Sequence, residues 1–430
     1  MFGTETSETQ PAVSLAPTSI APRSARTAVV VALTAVATFN VIDRQILAIL
    51  LEPIRRDLDL SDAQLGLLTG FAFVVFYAVA GVPIARFADR HSRRGVILVG
   101  LTFWSVMTAL AGFATTFIQL VVSRIGLGIG EASSGPATHS LLSELYEPER
   151  RAPAFSWIAA GVPLGALGAF AGGGHLEAAI GWRATLVVLG ALGVVLAGVV
   201  AAVVREPPCV SGALYVHRPT RALVAELLAT PAFRWLLIGT CCNVVAASVM
   251  LGWSPAFFVR VHGVRGATAG AWLGAAAGIG GLVGTLLGGN VAQKLAQLDR
   301  RWWLGFPAVT NALAAPMLFL FLSLPTNGAR WAAFGVLFFG PAMLGPVMTV
   351  TQGIAAPDAR AFAAAFLTLV YHLVGWGLGP LIVGAVSDAL MPRFGVESLR
   401  YAMGLGIVAL LASATAFARG ARFITRVELH

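Results

Sequence analysis

The chain has 430 residues, of which 57% are hydrophobic and only 11% charged, and its mean hydropathy is +0.81. Soluble domains carry about 25% charged residues, so a water-soluble globular protein is excluded and a chain that crosses a bilayer many times is indicated. The net charge of +9 does not call for nucleic acid, because basic residues of membrane proteins gather in the loops of one side.

In chain order, residues 1–26 are rich in Ser, Thr and Pro and lack the charged start and apolar core of a secretory signal. A disordered tail is expected there. Apolar runs between turn and charge clusters then predict helices over 27–51, 61–86, 95–114, 117–144, 149–172 and 180–204. The second series covers 230–259, 267–293, 301–323, 329–354, 359–387 and 397–418. The longest polar interruption, 205–229, lies mid-chain and reads as a cytoplasmic linker. It divides an N-terminal six-helix bundle over 27–204 from a C-terminal one over 230–418, with a tail over 419–430. The fold class is thus an all-α membrane protein of twelve transmembrane helices.

An even number of crossings puts both termini on one side. If that side is the cytoplasm, it holds 19 of the 29 Lys and Arg, the opposite side holds eight, and Arg44 and Arg124 lie within the membrane. The bias predicts cytoplasmic termini, and the single lysine among many arginines suggests a bacterial inner membrane. Three cysteines, Cys209, Cys241 and Cys242, form neither a disulfide framework nor a metal-ligand spacing.

Residues 124–135 read R-I-G-L-G-I-G-E-A-S-S-G. A dinucleotide fingerprint would need a preceding strand in a soluble βαβ unit, and a membrane span excludes it. As a helix, the stretch carries Arg124 and Glu131 seven residues apart, on one face. Gly126 and Gly130 form a small-xxx-small pair that admits a close neighbour. Ionisable groups at this depth usually line a cavity or a proton path. The first helix repeats the pattern with Asp43–Arg44 in N-V-I-D-R-Q, about 100° apart on the helix. Asp43 is therefore expected to pair with an arginine of another helix, leaving Arg44 free for an anionic ligand. Asn40 opens the same motif, and His372 is an intramembrane histidine suited to proton coupling or to packing. Asn243, Gln352 and His139 read as interhelical hydrogen-bonding residues.

The loop at 81–94 reads G-V-P-I-A-R-F-A-D-R-H-S-R-R, an aspartate followed by basic residues at a helix end. After the eighth helix, G-G-N-V-A-Q-K-L-A-Q-L-D-R-R echoes it. Such internal repeats mark transporters whose site lies between halves near the midplane. The segment A-R-F-A-D-R-H-S-R-R resembles the loop motif of the major facilitator superfamily, with Ala85 and Ser92 standing where the usual pattern has glycine. N-V-I-D-R-Q, G-L-L-T-G-F, F-W-S and R-I-G-L-G-I-G-E-A-S resemble its Spinster-like branch, which includes lysolipid and sphingosine-phosphate transporters.

The resemblance implies two pseudo-symmetric six-helix bundles around a central cavity, alternating access and proton coupling. It implies Asp43 and Glu131 as proton-coupling residues and Arg44, Arg124, Asn40 and His372 as substrate-binding residues. Asp89, Arg90, Arg93 and Arg94 match a cytoplasmic gate. The glycine-rich stretch 161–173 is similar to a fifth-helix motif of antiporters. Arginine suits a phosphate or carboxylate head, and the C-terminal half supplies apolar and aromatic side chains. A small amphipathic anion or zwitterion such as a lysophospholipid fits, and a hydrophobic organic anion or drug is the alternative. Protons and the lipid bilayer are the other expected partners, with no cofactor, no metal, no nucleic acid and a monomeric state. A lipid-modifying enzyme would need a nucleophile–base pair or converging metal ligands, and neither G-x-S-x-G nor H-E-x-x-H occurs. A transport-incompetent sensor is the remaining rival.

Overall fold

A computed structural model of the protein describes residues 23–88, 92–146, 148–205, 219–356 and 359–424. Hydrocarbon offers a backbone N–H or C=O no partner, so each crossing closes its own hydrogen bonds as helix. The N-terminal six are α1 (Arg23–Leu58), α2 (62–88), α3 (Arg93–Ala111), α4 (117–145), α5 (148–180) and α6 (182–203). The C-terminal six are α7 (Pro231–Arg260), α8 (266–298), α9 (Trp302–Ser323), α10 (326–354), α11 (360–394) and α12 (398–424).

Among the described residues nine stretches are long and apolar enough to cross a membrane. Two of these, Pro153–Val203 and Phe362–Ile424, cross twice, reversing at Gly181 (φ 75°) and Gly395 (φ 55°). The twelfth crossing, α4, is split by a turn at Ala132 and Ser133 into Phe117–Glu131 and Ser134–Leu145. Boundaries differ from expectation at several places, three of them at the tails and the linker. Helix α1 already begins at Arg23, inside the expected tail, and α12 continues to Ile424, past the expected end at 418. Within the expected linker, Thr220–Ala229 is helical because its Leu227 packs with Phe233 and Ala363.

The two halves repeat each other in detail. Positive-φ residues occur between α1 and α2 (Asp59), α5 and α6 (Gly181), α7 and α8 (Gly263), and α11 and α12 (Gly395). Both positive-φ turns of the first half thus have their match in the second. Single π-turns interrupt α2 (Leu67–Phe71), α5 (Gly168–Gly172), α8 (Ala276–Gly280) and α11 (His372–Leu378), again in matching pairs. Such turns cluster at functional positions.

These same four helices join the halves, α2 against α11 and α5 against α8. Small residues permit the contact: a Cβ on Gly66 would stand 2.3 Å from the Pro380 carbonyl oxygen, and one on Gly270 would stand 2.2 Å from that of Phe170.

Candidate functional site

Asp43 and Arg44 adjoin on α1 but enter different surroundings. Asp43 is fully buried. Its carboxylate accepts hydrogen bonds from Trp104 Nε1 (3.0 Å) and Thr108 Oγ1 (3.3 Å), one turn apart on α3. Arg124 reaches the same region from α4 without pairing with that carboxylate. Its Nε donates to the Leu68 carbonyl at 3.2 Å, and its Nη1 to the backbone carbonyl of Asp43 at 3.4 Å. Arg124 Nη2 is buried with no partner. Asp43, Thr108, Ser123 and Arg124 line a cavity of about 20 Å³ whose other walls are apolar, room for roughly one water.

Arg44 points to the other side of α1. Its Nη2 donates to Glu131 Oε2 at 3.0 Å and to Asn40 Oδ1 at 3.4 Å. Glu131 is fully buried, and its Oε1 has no hydrogen-bond partner. The Arg44 guanidinium also lies over Phe73 (4.9 Å to the ring centroid) and Tyr77 (5.4 Å), while Arg124 lies 5.4 Å from the Phe73 centroid. The Phe73 ring therefore serves two guanidinium groups, each gaining about 2 kcal/mol when desolvated.

Across the interface, His372 opens the π-turn of α11, and its Nδ1–H donates to the Thr368 carbonyl at 2.9 Å. The His372 ring stacks on Tyr371 at 4.7 Å and on Tyr77 of the other half at 6.4 Å. With Phe73 and Tyr77 5.6 Å apart, an aromatic column runs from the Arg44 guanidinium into the C-terminal half.

The expected division of labour is inverted. Glu131 pairs with Arg44 rather than standing with Arg124, and Asp43 takes an indole and a hydroxyl in place of an arginine. The physical reason is the 100° step between adjacent helical residues, which sends Asp43 toward α3 and Arg44 toward α2 and α4. Of the expected gate, Asp89 and Arg90 lie outside the described residues. Arg93 opens α3 behind Ser92, whose Oγ accepts from the Gly95 N–H at 2.9 Å. Arg94 Nη2 donates to the Ala201 carbonyl of α6 at 2.5 Å. Asn243 donates to Asn311 Oδ1 at 2.7 Å, an interhelical bond of the expected kind.

Sequence reasoning missed a second charged cluster, at the turn between α1 and α2. Arg260 of α7 is nearly buried and bonds two carboxylates of the other half. Its Nε lies 2.8 Å from Glu52 Oε1, and its Nη1 2.6 Å from Asp62 Oδ2. Ser387 Oγ donates to Asp62 Oδ2 at 2.7 Å. Asp388 of α11 accepts the N–H groups of Asp62 and Ala63 at 2.9 and 2.8 Å, capping α2 from across the interface. The signals were a lone acid in the apolar run I-L-L-E-P-I and the capping box Ser61–Gln64 that starts α2. Nearby, in the turn after α7, burial and then Arg400 push His262 below its usual pKa, against the opposite pull of Glu397.

Comparison with known proteins places these features in context. The Major Facilitator Superfamily sequence model matches residues 33–380. The chain is 34% identical to an "MFS-type efflux pump" of Mycolicibacterium smegmatis over 390 residues, 90% of each chain. It is 29% identical to "Protein spinster homolog 1" of Homo sapiens, covering 85% of this chain and 74% of the human one. A crystal structure described as a bacterial homolog to the human lysosomal transporter Spinster, inward-facing and unoccupied, superposes with a TM-score of 0.84 at 29% identity. That match covers 94% of this chain and 98% of the other. The occupied inward-facing form gives a TM-score of 0.78, also at 29% identity, covering 94% and 97%.

Proposed function

This chain belongs to the Major Facilitator Superfamily, within its Spinster-like branch, and its relatives are transporters rather than enzymes; on that premise we propose that it is a proton-coupled secondary transporter working by alternating access. Its solute is an amphipathic anion or zwitterion such as a lysophospholipid. The observation that carries this reading is the Arg44–Glu131 pair, with an unpartnered Glu131 Oε1, at the foot of an aromatic column that crosses between the halves. Protonating Glu131 removes the charge that holds Arg44 and leaves the guanidinium for an anionic head. Breaking a buried pair from one side costs about 3–5 kcal/mol, enough to tie protonation to a change of state. Asp43 is the second proton site, held apart by Trp104 and Thr108. Asn40, Arg44, Arg124 and His372 contact the solute, and Asp89, Arg90, Arg93 and Arg94 form the cytoplasmic gate.

The protein acts as a monomer in the inner membrane with both termini in the cytoplasm, as the 19-to-8 distribution of basic residues favours. The halves are the bundles α1–α6 and α7–α12. A second reading, efflux of hydrophobic organic anions or drugs, is favoured by the relative named as an efflux pump.

The test is uptake and efflux in proteoliposomes with a panel of lysolipids and organic anions, with and without an imposed pH gradient. Acceleration of a lysolipid by the gradient supports the first reading, and movement of organic anions alone supports the second. Indifference of every moving solute to the gradient would overturn proton coupling.

A further inference from the structure

The matching ends of the two halves both carry arginines. In the N-terminal half Arg94 donates to α6, and Arg26 lies 5.9 Å from the Tyr146 ring. The corresponding ends of α7, α9 and α12 carry Arg234, Arg300, Arg301, Arg419 and Arg422. Those ends are packed together, because a Cβ on Gly420 of α12 would meet Leu304 of α9 at 2.9 Å and Trp235 of α7 at 3.1 Å.

All five arginines are exposed, and among the described residues none has a side-chain hydrogen bond or an ion pair. The acid between α8 and α9, Asp299, is engaged by the Arg301 backbone N–H at 2.8 Å. Tryptophans stand among the arginines: Arg419 lies 5.1 Å from the Trp235 centroid, and Trp302 and Trp303 begin α9 beside Arg300 and Arg301.

Tryptophan settles at headgroup depth, and exposed guanidinium groups at that depth meet lipid phosphates, which they bind with two parallel N–H donors. Five guanidinium groups set against the single carboxylate of Asp299 leave this exposed end net positive, which favours an anionic over a zwitterionic lipid. We propose that this end of α7, α9 and α12 is a binding surface for the phosphate heads of anionic phospholipids in the surrounding leaflet. It lies apart from the Arg44–Glu131 site and anchors the C-terminal half to the bilayer.

The full chain is reconstituted in phosphatidylcholine vesicles containing brominated phosphatidylglycerol or brominated phosphatidylcholine, and tryptophan quenching is followed. The expected result is a quenching component roughly tenfold tighter for phosphatidylglycerol. It disappears in the Trp235→Phe, Trp302→Phe, Trp303→Phe variant, which keeps the charges. With Arg234, Arg300, Arg301, Arg419 and Arg422 all changed to Gln, the two lipids quench alike, and the matching Arg→Lys variant retains a preference. Equal quenching in the wild type overturns the proposal, as does a preference surviving the five Gln changes. Should the Gln variant fail to insert, the wild type still decides: displacement of brominated phosphatidylglycerol by millimolar glycerol phosphate would make this a free-phosphate surface and overturn the lipid assignment. Persistence of the lipid component under that competition supports it.

Discussion

Arg44 of α1 and Glu131 of α4 form an ion pair at 3.0 Å in which the carboxylate is fully buried and the guanidinium keeps 23% of its side-chain exposure. The asymmetry matters, because the partly exposed member is the one that can meet a solute. The buried member still has an oxygen without a partner.

Glu131→Gln preserves an oxygen acceptor for Arg44 while removing the proton site. The variant is expected to insert and fold, and its proteoliposome uptake should no longer respond to a pH gradient. Full gradient response in this variant would remove Glu131 from the coupling step. Glu131→Ala strands Arg44, with an expected loss of about 3 kcal/mol, the low end for a broken buried pair, read by thermal unfolding in detergent.

At Asp43 the prediction separates charge from shape. Thr108 can turn its hydroxyl to accept from an amide, so Asp43→Asn should cost about 1 kcal/mol or less. Asp43→Leu leaves the Trp104 indole N–H without an acceptor in a buried site, a loss of about 1–3 kcal/mol. Equal unfolding temperatures for the two variants would show that the indole bond contributes nothing. In transport, Asp43→Asn should weaken the response to the pH gradient.

The charged cluster at the other end predicts a shift of state. Arg260→Gln removes the one cation of the other half that Glu52 and Asp62 share and leaves them only Arg56 and Arg55 of their own half, so the contact between halves should loosen. Spin labels at Ile180 and Val396, exposed positions on opposite halves, would report a longer-distance population in this variant. An unchanged distance distribution would show that the pair does not hold the halves together.

Gly384→Ala tests the same contact through packing. Its Cβ would fall 2.1 Å from the Asp62 backbone oxygen, which cannot move without disturbing the start of α2. Overpacking of this kind costs about 1–3 kcal/mol. The labelled pair should again report separation, whereas Gly198→Ala, with open space around it, should leave it unchanged.

His262 gives a stability prediction with a definite sign. Its nearest polar partner is Thr326 at 3.2 Å, and Arg400 and Glu397 are the charges that act on it. Because its folded pKa is lowered, the unfolded chain takes up the proton first. The stabilising contribution is complete above about pH 6.5, the ordinary histidine value, and declines as pH falls through it toward the folded value. His262→Gln should therefore lose less stability than the wild type between pH 7.5 and 5.5, measured by unfolding temperature. An identical decline would exclude the histidine as a source.

Composition and hydropathy alone determined the solvent, and with it the helices. A chain 57% hydrophobic in hydrocarbon can satisfy its backbone only by helix, and turn and charge clusters mark where each crossing stops. The same logic exposed Asp43, Arg44, Arg124 and Glu131, because four charges in apolar runs stand out against their neighbours. Their partners were not legible. Adjacent residues on a helix diverge by 100°, and only the neighbouring helices decide whether a carboxylate meets an indole or a guanidinium. Arg260 shows the limit most plainly. In sequence it is one more basic residue at a helix end, yet it reaches Asp62 across 198 positions. That meeting needs α2 and α7 brought together from opposite halves, where α2 also packs on α11 through backbones that touch at Gly66 and Gly384, and such contacts exist only once the two halves are packed.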